Sequence, residues 1–401
     1  MSLPFLRTLQ GDRFFQLLIL VGIGLSFFVP FAPKSWPAAI DWHTIITLSG
    51  LMLLTKGVEL SGYFDVLGRK MVRRFATERR LAMFMVLAAA LLSTFLTNDV
   101  ALFIVVPLTI TLKRLCEIPV NRLIIFEALA VNAGSLLTPI GNPQNILIWG
   151  RSGLSFAGFI AQMAPLAGAM MLTLLLLCWC CFPGKALQYH TGVQTPEWKP
   201  RLVWSCLGLY IVFLTALELK QELWGLVIVA AGFALLARRV VLSVDWTLLL
   251  VFMAMFIDVH LLTQLPVLQG VLSNVSHLSE PGLWLTAIGL SQVISNVPST
   301  ILLLNYVPPS LLLAWAVNVG GFGLLPGSLA NLTDGERSPY LVAFSSLFDT
   351  DAVVGGAGGI CFVGYDPGGI RSVKLKRRIM SPPLLYVLKI NSDEPASRND
   401  F

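Results

Sequence analysis

Six asparagines stand in matched pairs along this chain, and amide side chains inside apolar segments are the residues most able to do chemistry here. Asn132 lies in Ala130-Val131-Asn132-Ala133-Gly134 and Asn318 in Ala316-Val317-Asn318-Val319-Gly320. Each copy runs on to a Gly and an Asn at identical spacing, Gly141 and Asn145 in the first, Gly327 and Asn331 in the second. Upstream, Thr97-Asn98-Asp99 has a counterpart in Ser295-Asn296-Val297-Pro298-Ser299-Thr300, and Asp41-Trp42 is echoed by Asp245-Trp246. Amide and hydroxyl oxygens suit Na⁺ or a proton-carrying water. Amide N–H groups and the N-terminal ends of broken helices suit an anion. The simpler reading of any lone Asn in a membrane helix is a hydrogen bond to a neighbouring helix. The pairing favours a binding role for Thr97, Asn98, Asn132, Gly141, Asn142, Asn145, Ser295, Asn296, Thr300, Asn318, Gly327, Ser328 and Asn331.

Ionisable residues inside the apolar segments are the next candidates, because a charge at membrane depth is costly unless paired or hydrated. Asp99 sits at a motif centre without an acidic counterpart in the second half, and Glu127 lies in the helix leading into Asn132. Both are candidates to carry a coupling ion, H⁺ or Na⁺. Lys56 and Glu59 are three apart and should pair on one helix face. Asp258 and His260 lie near a helix end, where solvation accounts for them. No cofactor is expected. Cys178, Cys180 and Cys181 sit in an apolar run without a nearby His or carboxylate, so they read as small hydrophobes and not as a metal site.

The elements that must position these residues are membrane helices. The 401-residue chain is 56% hydrophobic and 12% charged, with mean hydropathy +0.77. That is about half the charge of a soluble domain, and several runs reach the ~17–25 residues that cross a bilayer. Full spans are expected near 14–30, 43–60, 123–149, 155–182, 202–218, 222–237, 246–263 and 310–331. Segments 81–112 and 283–309 are too long for one span and carry their motifs mid-way, so they read as re-entrant hairpins. With both hairpins re-entrant and the N-terminus inside, 16 basic residues fall on the cytoplasmic side and three outside, Lys34, Arg151 and Lys220. Making 81–112 a full span gives 10 against 9, which erases the positive-inside bias. The net charge of +6 therefore reports orientation and not nucleic-acid binding.

The expected fold is all-α: a polytopic membrane protein of two inverted repeats, each with a re-entrant hairpin and a broken transmembrane helix. The first repeat covers 1–182, a cytoplasmic linker 183–201, and the second repeat 202–332, incomplete at its end. Residues 332–401 hold 16 charged residues in 70 and many glycines, so 333–401 reads as a non-membrane tail, disordered or foreign to the fold. Mirrored, broken apolar segments are the mark of a secondary transporter with the bilayer as its surroundings. No His-Glu-x-x-His or Gly-x-Ser-x-Gly lies on a span, so an intramembrane enzyme is not indicated.

The paired hairpin motifs and the Gly-Asn-Pro-Gln-Asn and Gly-Ser-Leu-Ala-Asn breaks resemble the ion-transporter superfamily of citrate–metal and arsenite permeases, dicarboxylate symporters and certain Na⁺/H⁺ antiporters. The resemblance covers about residues 10–331. It implies a bacterial inner-membrane carrier, often a homodimer, that moves a small anion such as a carboxylate or oxyanion. It also implies that Thr97-Asn98 and Ser295-Asn296 fall at the substrate and cation sites, with Asn145 and Asn331 beside them. Asp99 replaces the Thr of dicarboxylate symporters, which brings the tip nearer the arsenite-permease and antiporter branches. A Na⁺/H⁺ antiporter with Asp99 as carrier is the alternative. The family also ends with one more membrane helix, absent here, so an inactive truncated transporter is a further alternative.

Overall fold

The computed structural model describes residues 13–30, 32–72, 74–116, 118–188, 198–322, 353–355 and 360–362. Its helices are α1 (Arg13–Ser26), α2 (Trp42–Ser61), α3 (Tyr63–Val72), α4 (Glu78–Phe95), α5 (Asn98–Leu115), α6 (Val120–Ser135), α7 (Pro143–Ser152) and α8 (Phe156–Cys181). The second half holds α9 (Pro200–Glu218), α10 (Glu222–Leu236), α11 (Arg238–Ser243), α12 (Thr247–Thr263), α13 (Pro266–Leu272), α14 (Glu280–Ile294), α15 (Asn296–Leu303) and α16 (Leu311–Gly320).

Local sequence explains where these helices start and stop. The Asp41 carboxylate caps α2 by accepting from the Thr44 N–H at 3.0 Å, and Gly62 ends the helix at φ 70°. The Ser155 hydroxyl caps α8, accepting from the Gly158 N–H at 3.1 Å. Side-chain oxygens at these positions satisfy N–H groups that have no intrahelical partner. By length and composition, α2, α8 and α9 are each able to cross a bilayer, and α12 with its continuation to His277 forms a pair bent by 77°. Helices α10 and α16 are apolar but shorter. The expected span 123–149 is interrupted: α6 stops at Ser135 and α7 begins at Pro143.

Helices α2 and α8 connect two polar ends of the bundle. At one end, Arg151 pairs with Asp41 at 3.2 Å, His43 Nδ1 meets Glu222 Oε1 at 3.0 Å, and the Phe156 N–H donates to Glu218 Oε2 at 2.9 Å. At the other, Lys56 pairs with Glu59 at 2.8 Å, as expected, and the Lys199 N–H donates to the Ser61 carbonyl at 2.8 Å. Arg79 Nε donates to the Phe182 carbonyl and Arg122 Nη1 to the Cys181 carbonyl, both at 2.8 Å. Arg79 opens α4 and Arg122 follows α5. Both feet of the first hairpin therefore stand on adjacent carbonyls at one end of α8, so the hairpin is re-entrant.

The second hairpin opens at the opposite end. Helix α16 enters beside the start of α8, where Trp315 Nε1 donates to the Gln162 carbonyl at 3.3 Å. The return arm α15 is eight residues, against 18 for α5, so the two hairpins are not equal in length. Inverted repeats result, each with a hairpin, and the first with a fully described broken helix.

Two apolar cores form, and they do not follow the repeat boundary. One joins α4, α5, α6 and the last half of α8, with Leu81, Val86, Leu102, Phe126 and Phe182 buried. The other joins α2, α7 and the start of α8 to α9, α10, α12, α15 and α16. Large apolar side chains such as Leu172, Trp204, Ile211 and Leu235 face outward, as helices in lipid require. Of the tail, only an antiparallel ladder of Val353–Gly355 with Ile360–Phe362 is described, and the rest of 333–401 lies outside the described residues.

The hairpin geometry fixes a labelling pattern. In a cysteine-free background, Arg80→Cys and Asn121→Cys are expected to react with a membrane-impermeant thiol reagent from the same face, and Lys220→Cys from the opposite one. Labelling of positions 80 and 121 from different faces would make 81–112 a full span.

Candidate functional site

The break between α6 and α7 leaves carbonyl groups with no helical partner, and a single side chain collects them. Asn145 Nδ2 donates to the carbonyls of Leu136 and Thr138, each at 3.0 Å, and lies 3.4 Å from that of Ser135. Asn142 caps α7, its Oδ1 accepting from the Asn145 N–H at 2.9 Å, and Pro143 occupies the first helical position, where it needs no partner. Pro143 thus starts a helix. Pro298 likewise falls in the first turn of α15 and does not interrupt it. Gly141 is required for contact and not for an unusual φ: a Cβ there would lie 2.1 Å from the Ser135 carbonyl oxygen.

Into this break reaches Asn318 from the second repeat. Its Oδ1 accepts from Asn142 Nδ2 at 3.0 Å and from Gln144 Nε2 at 3.3 Å. Its Nδ2 donates to Asn145 Oδ1 and to the Ala314 carbonyl, each at 2.8 Å. Asn142 Nδ2 also reaches Ser135 Oγ at 3.3 Å. All four amide side chains are buried.

The first hairpin tip joins the same cluster. The Asn98 N–H donates to the Gly141 carbonyl at 3.0 Å, and Thr138 Oγ1 donates to the Thr94 carbonyl at 2.7 Å. The Phe95 carbonyl, freed where α4 stops, accepts from the Tyr210 hydroxyl of α9. The second tip lies alongside, with α15 packed on α7, α12 and α16. Ser295 holds φ 74° and ψ 158°, a conformation that L-residues rarely adopt and that surrounding structure must hold in place. Ser295, Asn296, Ser299 and Thr300 are all buried there.

The two repeats make corresponding contacts. A Cβ on Gly134 would sit 2.1 Å from the Ala90 carbonyl oxygen, eight residues before Asn98. A Cβ on Gly320 would sit 2.4 Å from Ser291 Cβ and 3.1 Å from the carbonyl oxygen of Ile288, eight residues before Asn296. Thr94 Oγ1 donates to the Gly134 carbonyl at 3.2 Å, and Gln292 Nε2, at the matching position, donates to the Gly320 carbonyl at 2.7 Å. Each broken helix therefore presses its glycine onto its own hairpin and is tied at that glycine's carbonyl by a hairpin side chain.

The sequence-derived residues divide as follows. Asn98, Gly141, Asn142, Asn145 and Asn318 form one connected cluster, and Thr97 is buried as the residue that precedes α5. Asn132 is buried a turn before the break, with its carbonyl accepting from Ser135 Oγ at 3.1 Å. Ser295, Asn296 and Thr300 form the neighbouring tip. Gly327, Ser328 and Asn331 lie outside the described residues, as does the side chain of Asp99, the second residue of α5. Glu127 is buried but faces α5, where Thr109 Oγ1 donates to its Oε1. Asp258 corrects the expectation of a solvated carboxyl: it is buried on α12. His260 is half-buried and meets Gln264 at 2.8 Å. Gln144, Ser135, Thr138 and Tyr210 were missed. Gln144 was visible inside Gly-Asn-Pro-Gln-Asn, whereas nothing in the sequence points to Tyr210. Among the described residues no cluster of His, Cys, Asp and Glu is able to hold a metal ion.

Broken helices meeting in a buried amide cluster are a carrier's architecture, and the family model described as citrate transporter matches residues 16–335. The chain belongs to the citrate transporter family. It is 98% identical over 332 residues to the inner membrane protein YbiR of Escherichia coli K12, covering 83% of this chain and 89% of that protein. An uncharacterized transporter of Methanocaldococcus jannaschii, MJ0456, is 30% identical over 322 residues, covering 79% and 87%. The putative transporter arsB of Dictyostelium discoideum is 27% identical over 160 residues, covering 39% and 28%. The chain is a membrane transporter, multi-pass in the inner membrane.

The amide cluster predicts a cooperative loss. Asn318→Ala removes three hydrogen bonds between the repeats, each worth ~0.6 kcal/mol in a membrane interior, so about 2 kcal/mol of stability should go. Asn145→Ala should cost a similar amount. Thermal unfolding in detergent would show the double variant less destabilised than the sum. Additive losses would mean that the two residues act separately.

Proposed function

We propose that this transporter moves a small anion, a carboxylate or an oxyanion, and that H⁺ or Na⁺ drives it. The observation that carries this reading is the junction of Asn142, Gln144, Asn145 and Asn318 beside the N-terminal ends of α5, α7 and α15. Amide N–H groups and helix N-termini offer hydrogen-bond donors and partial positive charge to an anion. No Lys, Arg or His takes part in the described cluster, so binding stays weak enough for release on the far side. The first break is placed at membrane depth: α7 puts about 9–13 Å of helix between Arg151 at the bundle's end and the amide cluster.

The basic residues Lys70, Arg74, Arg79, Arg80, Arg122, Lys185, Lys199, Arg201, Arg238 and Arg239 belong to the end where α2 and α8 terminate. By the positive-inside rule that end is cytoplasmic, and the N-terminus lies there with it. The coupling ion is assigned to Asp99 or Glu127. Asp99 opens α5 at the hairpin tip. Glu127 lies five residues before Asn132, on the seam between α6 and α5. Residues 333–401 are read as a non-membrane tail, and a homodimer as the assembly.

The test is counterflow in proteoliposomes against a panel of carboxylates and oxyanions, with Na⁺ and pH varied independently. At least one anion should exchange in the wild type and exchange at least about tenfold more slowly in Asn142→Ala, a loss of one amide donor worth ~1.4 kcal/mol or more. Asp99→Asn should abolish gradient-driven uptake while leaving counterflow and thermal stability intact. Unchanged Na⁺ and pH dependence in that variant shifts the role to Glu127. Cation exchange without any anion flux would replace the reading with a Na⁺/H⁺ antiporter.

A further inference from the structure

Asp258 belongs to none of the sets above. It lies five residues before the end of α12, where only 9% of its surface is exposed. Its Oδ2 is sealed from solvent with no hydrogen-bond partner, and no ion pair reaches it among the described residues. Helix α1 covers it. A Cβ built on Gly22 would stand 2.6 Å from Asp258 Oδ1, so the absence of a side chain at Gly22 is what lets the two helices close over the carboxyl. The Gly22 carbonyl is already engaged by the Ser26 hydroxyl at 2.8 Å.

The surroundings supply no counter-charge. On α1, residues 14–26 contain no titratable group, and Arg13 is about 13 Å of helix away. Helices α13 and α15 and the turn Trp36–Ala39, all packed on α12, contain none either, and Lys34 before that turn is exposed. On α2, His43 is held by Glu222, Lys56 by Glu59, and Asp41 before it by Arg151. On α12 itself His260 is engaged with Gln264, and Asp245 precedes the helix with its Oδ1 3.2 Å from the Thr247 N–H.

We propose that Asp258 is a proton-binding site and that the bound proton holds α1 against α12. A carboxylate sealed among apolar groups without a partner is strongly disfavoured, whereas the neutral acid tolerates the same place far better. Closure of α1 and protonation are therefore linked, each favouring the other. On release, the O–H bond of the acid breaks, the electron pair stays on the carboxylate, and the proton passes to water entering between α1 and α12. A metal cation is a poorer occupant, because it needs several converging oxygens and only the two of this carboxyl are offered. The site is separate from the amide cluster and does not depend on the transported species.

Infrared difference spectroscopy of the full chain in proteoliposomes reads this proton without any substrate. A carboxylic-acid C=O band that shifts in D₂O and titrates away at high pH is expected in the wild type. It should vanish in Asp258→Asn and Asp258→Leu and persist in Asp99→Asn and Glu127→Gln. Hydrogen–deuterium exchange of residues 13–26, corrected for intrinsic chemical rates, should rise several-fold across the same pH range in the wild type. It should stay flat in both Asp258 variants, which mimic the neutral or apolar closed state. A band that survives both Asp258 substitutions, or equal exchange in all three proteins throughout the range, overturns the proposal. Failure of anion counterflow would bear only on the transport reading and would leave the infrared result standing.

Discussion

A peptide group without a hydrogen-bond partner is what this fold has to avoid. In hydrocarbon such a group costs several kcal/mol, so a helix broken at membrane depth must recover its bonds from side chains or neighbouring backbone. The α6–α7 break does so through Asn145, whose amide bridges the carbonyls of Leu136 and Thr138. The hairpin tip does so by handing the Asn98 N–H to Gly141 and the Phe95 carbonyl to Tyr210. Each freed group is thereby tied to a different element. Breaking the helices, which a carrier needs, is also what binds hairpin, broken helix and neighbouring helices together.

The same constraint explains why both repeats keep a glycine after the Asn. Gly134 and Gly320 bring each broken helix within van der Waals distance of its hairpin, close enough for Thr94 or Gln292 to reach the glycine carbonyl. Between membrane helices there is no hydrophobic driving force, so close packing by small residues and a few hydrogen bonds must hold them. Each hairpin and its broken helix form a small packed unit. Asn318 then joins the broken helix of the second unit to that of the first.

Period and pairing were readable from the sequence because they depend on residue type. Gly141, Asn142 and Pro143 marked the break between α6 and α7, and the charge tally placed both feet of the first hairpin at one end, where Arg79 and Arg122 stand on Phe182 and Cys181. What was not legible depends on orientation about the helix axis. Asp258 looked solvated from its distance to the end of α12, yet rotation turns it toward Gly22. Glu127, a coupling-ion candidate on the helix leading into Asn132, faces Thr109 of α5, an orientation its position in the sequence does not reveal. The unequal return arms, 18 residues in α5 and eight in α15, also left no trace in hydropathy.

The division of polar groups suggests how such a molecule separates recognition from driving force. In the amide cluster the described polar side chains are neutral amides and hydroxyls, which suit the proposed anion as donors that hold it by geometry without trapping it. The described carboxyls at depth stand apart: Glu127 lies on the seam of α6 with α5, and Asp258 on the seam of α12 with α1. Each seam joins one helix of the bundle to a neighbour whose position it helps to set. Protonation at either place would then act on helix packing and not by direct pairing with the transported species. Coupling by that route needs no charged residue in the amide cluster.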